Sequence, residues 1–219
     1  MEEQFWQTRW KEGRTGFHDA LPNTFLVARI EHLNLGPDAH IFVPLCGKTV
    51  DLDWLLARGY LVTGIEFNEG AARTVFDRLN LVPEESQHRG LICLKSDRLT
   101  LWVGDFFELG IDDLVSVDAI YDRAALVALP DQTRADYTRH LIELTSAAPQ
   151  LLISYTYDQA LMEGPPFAVP EGIIRMLYHT TYEITLLDRS EISGPLSDRT
   201  KGSEEIWYLD PKILLQSVI

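Results

Sequence analysis

Glu66 carries the most informative chemistry in this sequence. It closes the apolar run Leu61-Val62-Thr63-Gly64-Ile65, about 20 residues beyond the turn Pro44-Leu45-Cys46-Gly47-Lys48-Thr49. A carboxylate at the tip of a second strand, that far past a glycine-bearing turn, is suited to accept hydrogen bonds from both hydroxyls of a ribose. Asp105, in Gly104-Asp105-Phe106-Phe107, can accept from an adenine amino group, and Phe106 offers an apolar ring face. Asp105 equally suits the N-cap of a helix that starts at Phe106. Arg123, following Tyr121-Asp122, can hold a cofactor carboxylate or an anionic substrate in a bidentate fork. An ion pair with Asp122 is the plain alternative. The turn and Glu66 together point to an adenosine-type cofactor.

The elements that must position these residues alternate between strands and helices. His40–Val43 reads as a buried strand, and Leu52, Leu55 and Leu56 begin a helical pattern after the turn. Asn68-Glu69 opens a second helix through Val75, Phe76 and Leu79, which the loop Pro83-Glu84-Glu85-Ser86 closes. Leu91–Leu94 and Leu99–Val103 read as a hairpin with Ser96-Asp97 at its tip. A strand over 117–121, a helix from about Gln132 to Leu144 and a strand over Gln150–Tyr157 follow. This alternation predicts a largely parallel sheet with helices on both faces. Beyond it, Gly164-Pro165-Pro166-Phe167 is a stiff loop, and Pro170-Glu171 starts a short helix ending near Tyr178. Tyr182–Asp188 and Glu204–Leu209 read as edge strands paired antiparallel, separated by a polar loop, Ser190–Ser203, that contains Arg199. Ahead of the first strand, residues 24–35 have helical spacing, and Trp6 and Trp10 share a helix face at i, i+4. That N-terminal helix either docks on the core or forms a lid, pivoting at Gly13 and Gly16 to bring Trp10 and Phe17 over a ligand.

Gly47-Lys48-Thr49 invites a phosphate-loop reading, but Phe42 stands where that pattern needs its first glycine. Pro44 also removes a backbone donor from the nest that would grip phosphates. A dinucleotide site is served no better, because one glycine in the turn does not provide the close approach of G-x-G-x-x-G. A cofactor with ribose and adenine but no phosphate needs neither device, and S-adenosylmethionine is such a cofactor.

Four blocks in order carry a resemblance over nearly the whole chain. These are Phe42–Leu52, Gly64-Ile65-Glu66, Tyr121–Leu129 (Tyr-Asp-Arg-Ala-Ala-Leu-Val-Ala-Leu) and Gly164–Phe167. Together they resemble the thiopurine S-methyltransferase family in its bacterial form. The resemblance implies a Rossmann-like class I S-adenosylmethionine-dependent methyltransferase: a mostly parallel seven-stranded sheet with an antiparallel edge, helices on both faces and an N-terminal lid helix. It implies methyl transfer to the sulfur of an aromatic or heterocyclic thiol, and bacterial members are also associated with selenium and tellurium compounds. Trp10, Leu45, Glu66 and Arg123 match family positions that contact the cofactor, while Asp105 and Phe106 fall in the segment flanking its adenine. Arg199 resembles an arginine facing the substrate, although the loop around Gly194-Pro195-Leu196-Ser197-Asp198 departs from the family pattern. Phe17, Pro166, Phe167 and Arg199 are the expected acceptor contacts.

A sulfonium methyl is already activated, so such an enzyme mainly holds the acceptor in line and excludes water. Arg123 and Arg199 then position the acceptor and favour its thiolate, with no metal and no dedicated base; His18 beside Asp19 is a surface histidine on this reading. The totals agree. Nineteen basic against 33 acidic residues leave a net charge of −14, which opposes adhesion to nucleic acid or anionic membrane. Cys46 and Cys93 match no metal spacing and are too few for a disulfide framework, which suits a reducing compartment. No signal segment or membrane span is visible. The expectation is a cytoplasmic monomer, residues 1–219 forming one methyltransferase domain with 1–23 as its lid, acting on a small-molecule thiol, selenium or tellurium acceptor. A nicotinamide- or ATP-binding α/β enzyme, or a silent member that only binds cofactor, are the readings of other classes.

Overall fold

A computed structural model describes residues 3–12 and 20–212. Gly13, Gly16, Phe17 and His18 lie outside the described residues. The helices are α1 (Glu3–Lys11), α2 (Thr24–Arg29), α3 (Asp51–Ala57), α4 (Glu69–Leu79), α5 (Asp131–Leu144) and α6 (Glu171–Tyr178). The strands are β1 (His40–Val43), β2 (Leu61–Glu66), β3 (Glu84–His88), β4 (Leu91–Lys95), β5 (Leu99–Val103), β6 (Ala119–Arg123), β7 (Gln150–Tyr157), β8 (Tyr182–Glu191) and β9 (Gly202–Pro211). They form one sheet in the order β3-β4-β5-β2-β1-β6-β7-β9-β8. β5, β2, β1, β6 and β7 run parallel, and β9 and β8 close one side antiparallel.

The seven strands from β5 to β8 match the count that the family resemblance implies, and β4 is the other arm of the hairpin read at Leu91–Val103. β4 and β3 extend the sheet to nine on the opposite side, both antiparallel. β3 begins in the segment Pro83–Ser86 read from sequence as a loop and runs two residues past it. Its residues, Glu-Glu-Ser-Gln-His, are all exposed, so it carries no apolar alternation and is held by its pairing with β4. Charged side chains on such an edge also discourage pairing with another chain.

Burial on both faces explains the near-continuous apolar strands. In β1, Ile41 and Val43 face one core with Leu52, Leu55, Val75 and Phe76 of α3 and α4, whereas Phe42 faces the other with Tyr137, Leu141 and Tyr178 of α5 and α6. Asn23 caps α2, accepting from the Phe25 and Leu26 N–H groups, and Asn68 caps α4. Among the described residues no helix is long and apolar enough to cross a membrane.

From β1 the chain winds outward one way through β2 to β5, then returns to β6 and winds the other way to β7. The crevice between β1 and β6 is therefore the topological switch point, where open α/β sheets bind ligands beyond the carboxyl ends of their strands.

Candidate active site

The turn after β1 is fixed from three sides. The Cys46 N–H donates to the Ile65 carbonyl at 3.0 Å. The Arg78 guanidinium, in a bidentate pair with Asp53, also donates to the carbonyls of Lys48 (3.0 Å) and Thr49 (3.2 Å). Gly64 lets the turn lie this close to β2: a Cβ there would stand 2.8 Å from Cys46 Sγ and 2.9 Å from Leu101 Cδ2. The Gly47 N–H, which a phosphate loop would aim at an anion, donates instead to Glu66 Oε2 at 2.8 Å. The Asn68 N–H donates to Glu66 Oε1 at 2.7 Å.

Glu66 is thus a carboxylate only 6% exposed, locked at the tip of β2. Burial pushes its carboxyl from 4.5 up to about 7, against the opposing pull of the Asn68, Gly47 and Phe67 backbone donors. It lines a cavity of ≈ 410 Å³ that spans the switch point, a size ordinary for a small-molecule site. Leu45 (φ 45°) and Ala124 (φ 64°) stand just after β1 and β6 in left-handed conformations that non-glycine residues adopt rarely, and both line the cavity.

Two buried carboxylates brace these turns from behind. Asp51 accepts from the Asn23 N–H (2.7 Å) and the Tyr121 hydroxyl (2.9 Å), tying the cavity-lining segment Leu21–Thr24 to the start of α3. Asp122 accepts from the Tyr137 hydroxyl (2.8 Å) and the Leu126 N–H (3.1 Å), which shapes the bend after Arg123. Burial lifts the Asp122 carboxyl to about 6.

On the far side the wall is built from the loop after β7 and the connection between β8 and β9. The Tyr157 hydroxyl donates to the Pro166 carbonyl at 2.6 Å, the Phe167 N–H to the Val127 carbonyl at 2.7 Å, and the Ala168 N–H to Gln159 Oε1 at 2.8 Å. Gly164–Pro165 and Pro165–Pro166 are both cis, and Gly164 (φ 78°) leaves room for the Phe167 ring, which a Cβ would approach to 2.6 Å. α1 closes the cavity from above with Trp6, Arg9 and Trp10; the Lys48 ammonium lies 5.8 Å from the Trp10 ring centroid.

Of the residues singled out from sequence, the cavity brings together Trp10, Leu45, Glu66, Arg123, Pro166 and Arg199. Asp105, Phe106 and Phe167 lie outside its lining. The exposed Asp105 caps a short 3-10 turn, its carboxylate accepting from the Phe107 N–H at 3.0 Å, as the N-cap alternative foresaw. Phe106 is buried against Tyr137 and His140, at ring separations of 5.0 Å, so its faces belong to the core. Phe167 packs beneath the loop, with the buried Arg134 guanidinium 5.5 Å from its ring. The sequence reading missed Tyr155 and Glu204, cross-strand partners on β7 and β9 that both line the cavity. Both stretches were read as strands, but their register cannot be deduced from either alone.

The family model for thiopurine S-methyltransferases matches residues 1–210. The chain belongs to the thiopurine S-methyltransferase family. Within that family it is 42% identical over 211 residues to a thiopurine S-methyltransferase of Xanthobacter autotrophicus, covering 96% of this chain and 99% of that one. It is also 42% identical to the Acinetobacter baylyi protein of the same name, covering 97% and 100%. Among solved structures, the fold resembles a Burkholderia thailandensis 1,6-didemethyltoxoflavin-N1-methyltransferase with bound S-adenosylhomocysteine (TM-score 0.63, 14% identity, 96% and 87% covered). It also resembles an S-adenosylmethionine-dependent methyltransferase of Methanosarcina mazei (TM-score 0.62, 17% identity, 87% and 99% covered).

This family member is an S-adenosylmethionine-dependent methyltransferase of the Rossmann-like class. Its residues fit that cofactor. A carboxylate buried at the cavity wall, raised in pKa by desolvation, is suited to a ligand that brings hydroxyl donors to it. The Gly47 amide donates to Glu66, which suits a ligand that brings no phosphate to this turn.

Proposed function

We propose that this chain methylates the sulfur of aromatic or heterocyclic thiols. The observation that carries this reading is the joining of Glu66 and Arg199 in one cavity. Glu66, on β2, and the cavity wall on β9 are four strand spacings apart, about 19 Å along the sheet. That span leaves room for a cofactor and a small planar acceptor side by side.

Glu66 and Leu45 would hold the ribose end of the cofactor, and Arg123, at the tip of β6, its carboxylate end or the acceptor. Bound there, S-adenosylmethionine supplies a sulfonium-activated methyl group. The Gly104 N–H donates to the Glu66 carbonyl at 3.1 Å, so Asp105 follows the strand tip next to Glu66; this adjacency supports its assignment to the adenine side. Trp6 and Trp10 would cover the reacting atoms and exclude water, which supports assigning residues 1–23 as a lid over one methyltransferase unit.

Arg123 and Arg199 place positive charge in a protein of charge −14, a local inversion that favours an anionic acceptor and lowers the cost of its thiolate form. Pro165, Pro166 and Leu196 give the same region apolar walls for a ring. Because Tyr157 and Gln159 already bond the loop, little ordering entropy is lost on binding. The family name of its relatives supports thiols as the acceptor class. Selenols and tellurium oxyanions would meet the same charge and apolar walls. The two cysteines are free and buried, which suits the expected reducing compartment.

A panel of heterocyclic thiols, selenols and tellurite, incubated with S-adenosylmethionine and read by product mass, tests this. S-methylated thiols are expected. Methylation of nitrogen or oxygen acceptors alone would overturn the sulfur assignment.

A further inference from the structure

The bend that follows β6 supplies Arg123, Ala124, Val127 and Ala128 to the cavity wall. Its shape is set from inside the core by Asp122, whose carboxylate is fully buried. Asp122 Oδ1 accepts from the Leu126 N–H at 3.1 Å, at the start of the short turn that carries Val127 and Ala128. Oδ2 accepts from the Tyr137 hydroxyl at 2.8 Å. Tyr137 in turn places its ring 5.0 Å from that of Phe106, in the turn that follows β5. Between Asp122 and Leu126 lies Ala124 at φ 64°, a conformation that strains any residue with a Cβ. Strain of this kind persists only where the surroundings over-determine it.

Burial raises the Asp122 carboxyl from 3.8 to about 6, against the pull of the Tyr137 hydroxyl and the Leu126 and Ala125 N–H groups. The folded chain thus holds a proton that the unfolded chain releases above 3.8. This group's contribution to stability is therefore complete below 3.8 and fades as pH rises through about 6. At pH 8 the ionised carboxylate works against the fold, although an amide of the same shape would fill its place and accept from the Leu126 N–H. A group that costs stability where a neutral isostere would serve the packing marks a demand made by the site rather than by the core. The bend is that demand, because charge-assisted acceptance holds backbone N–H groups roughly twice as strongly as a neutral amide oxygen does.

We propose that Asp122 is a positioning residue of the cofactor site: through its bonds to Leu126 and Tyr137 it holds Ala124 left-handed and so fixes Arg123 against the cofactor. The inference rests on the assignment of Arg123 to the cofactor and is independent of which acceptor is methylated. Tyr137 extends the same tie to the Phe106 turn, on the side assigned above to the adenine, so one buried pair registers both ends of the cofactor.

The test uses the full-length protein at pH 8, with S-adenosylhomocysteine affinity read by titration calorimetry and stability by denaturant unfolding. Asp122→Asn is expected to be at least as stable as the wild type, yet to bind S-adenosylhomocysteine roughly three- to tenfold more weakly, the scale of one hydrogen bond. A residue that only stabilised the fold would show the opposite split. Ala124→Gly supplies the second readout, because glycine adopts φ 64° without strain. In that background Asp122→Asn should weaken binding much less than it does alone, whereas two losses that simply multiply would overturn the claim that the carboxylate acts through the bend. Wild-type affinity in Asp122→Asn, whatever its stability, would overturn the inference outright. Should that variant unfold, Tyr137→Phe decides. It removes one donor, keeps the ring against Phe106, and is expected to weaken S-adenosylhomocysteine by about threefold; unchanged affinity there overturns the inference. Arg123→Met separates the two readings. If it binds S-adenosylhomocysteine as the wild type does, the assignment of Arg123 fails and this inference with it; if it binds weakly while Asp122→Asn binds normally, only this inference fails.

Discussion

Replacing Glu66 separates the cofactor's hold on the protein from the protein's own stability. Burial lifts the Glu66 carboxyl to about 7 from an ordinary 4.5. The sign follows directly. The folded chain keeps a proton that the unfolded chain loses above pH 4.5, so this group's contribution to stability is complete below 4.5 and fades as pH rises through about 7. An ionised Glu66 in the folded protein therefore costs about 3 kcal/mol. Glu66→Ala removes that cost but leaves the Gly47 and Asn68 N–H groups to find water, at roughly 1–3 kcal/mol each. Near pH 8 the terms largely offset, and the melting temperature should move by only a few degrees. Cofactor affinity should not be spared. Losing a charge-assisted bond to the ribose hydroxyls costs about 1.5–3 kcal/mol, or roughly 10- to 150-fold in Kd. Because a carboxylate accepts best when ionised, wild-type affinity should also rise by up to about tenfold from pH 6 to pH 8, as the ionised fraction climbs from about 10% to about 90%. Titration calorimetry with S-adenosylhomocysteine at pH 6, 7 and 8 reads both effects. An equal pH slope in wild type and variant, or unchanged affinity at pH 8, would refute the assignment of Glu66 to the ribose.

Gly64→Ala places a methyl group 2.8 Å from Cys46 Sγ, and should destabilise the protein by about 1–3 kcal/mol in denaturant unfolding while weakening S-adenosylhomocysteine through the displaced turn. Arg199→Met keeps the apolar stem, and should raise KM or lower kcat for an anionic thiol with cofactor affinity unchanged; Arg123→Met should disturb both, as steady-state kinetics with calorimetry will show. Tyr157→Phe removes the bond to the Pro166 carbonyl, with an expected loss of about 1 kcal/mol in thermal unfolding and a raised acceptor KM. With Trp6 and Trp10 lining the cavity, tryptophan fluorescence should change on cofactor binding, and an unchanged spectrum would argue against the lid.

What the sequence made legible follows the strength of local signals. β7 was read at its observed bounds because Gln150–Tyr157 is a long apolar run, and the starts of α4 and α6 because Asn68 and Pro170 are unambiguous start signals. The place of Glu66 at the tip of β2, beside the turn, was legible because the apolar run Leu61–Ile65 ends on it. β3 was not, since an all-exposed strand is defined by its partner, and β8 and β9 extend into the segment read as a loop because pairing carried polar residues with it. Phe106 illustrates a different limit: an aromatic after a strand tip serves a ligand or the core equally well, and only the position of Tyr137 on α5 decides for the core. The Tyr155–Glu204 pair needed a cross-strand register, and the Asp51 brace needed Asn23 and Tyr121 brought together from 28 and 70 residues away.

The most direct test of the account is a single-turnover reaction of the full chain with S-adenosylmethionine and a heterocyclic thiol, with both products identified by mass spectrometry. The account predicts equimolar S-adenosylhomocysteine and S-methylated heterocycle, formed by the wild type and lost or strongly slowed in Glu66→Ala at subsaturating cofactor. Cofactor that binds tightly but yields no methylated sulfur across the thiol panel would contradict it.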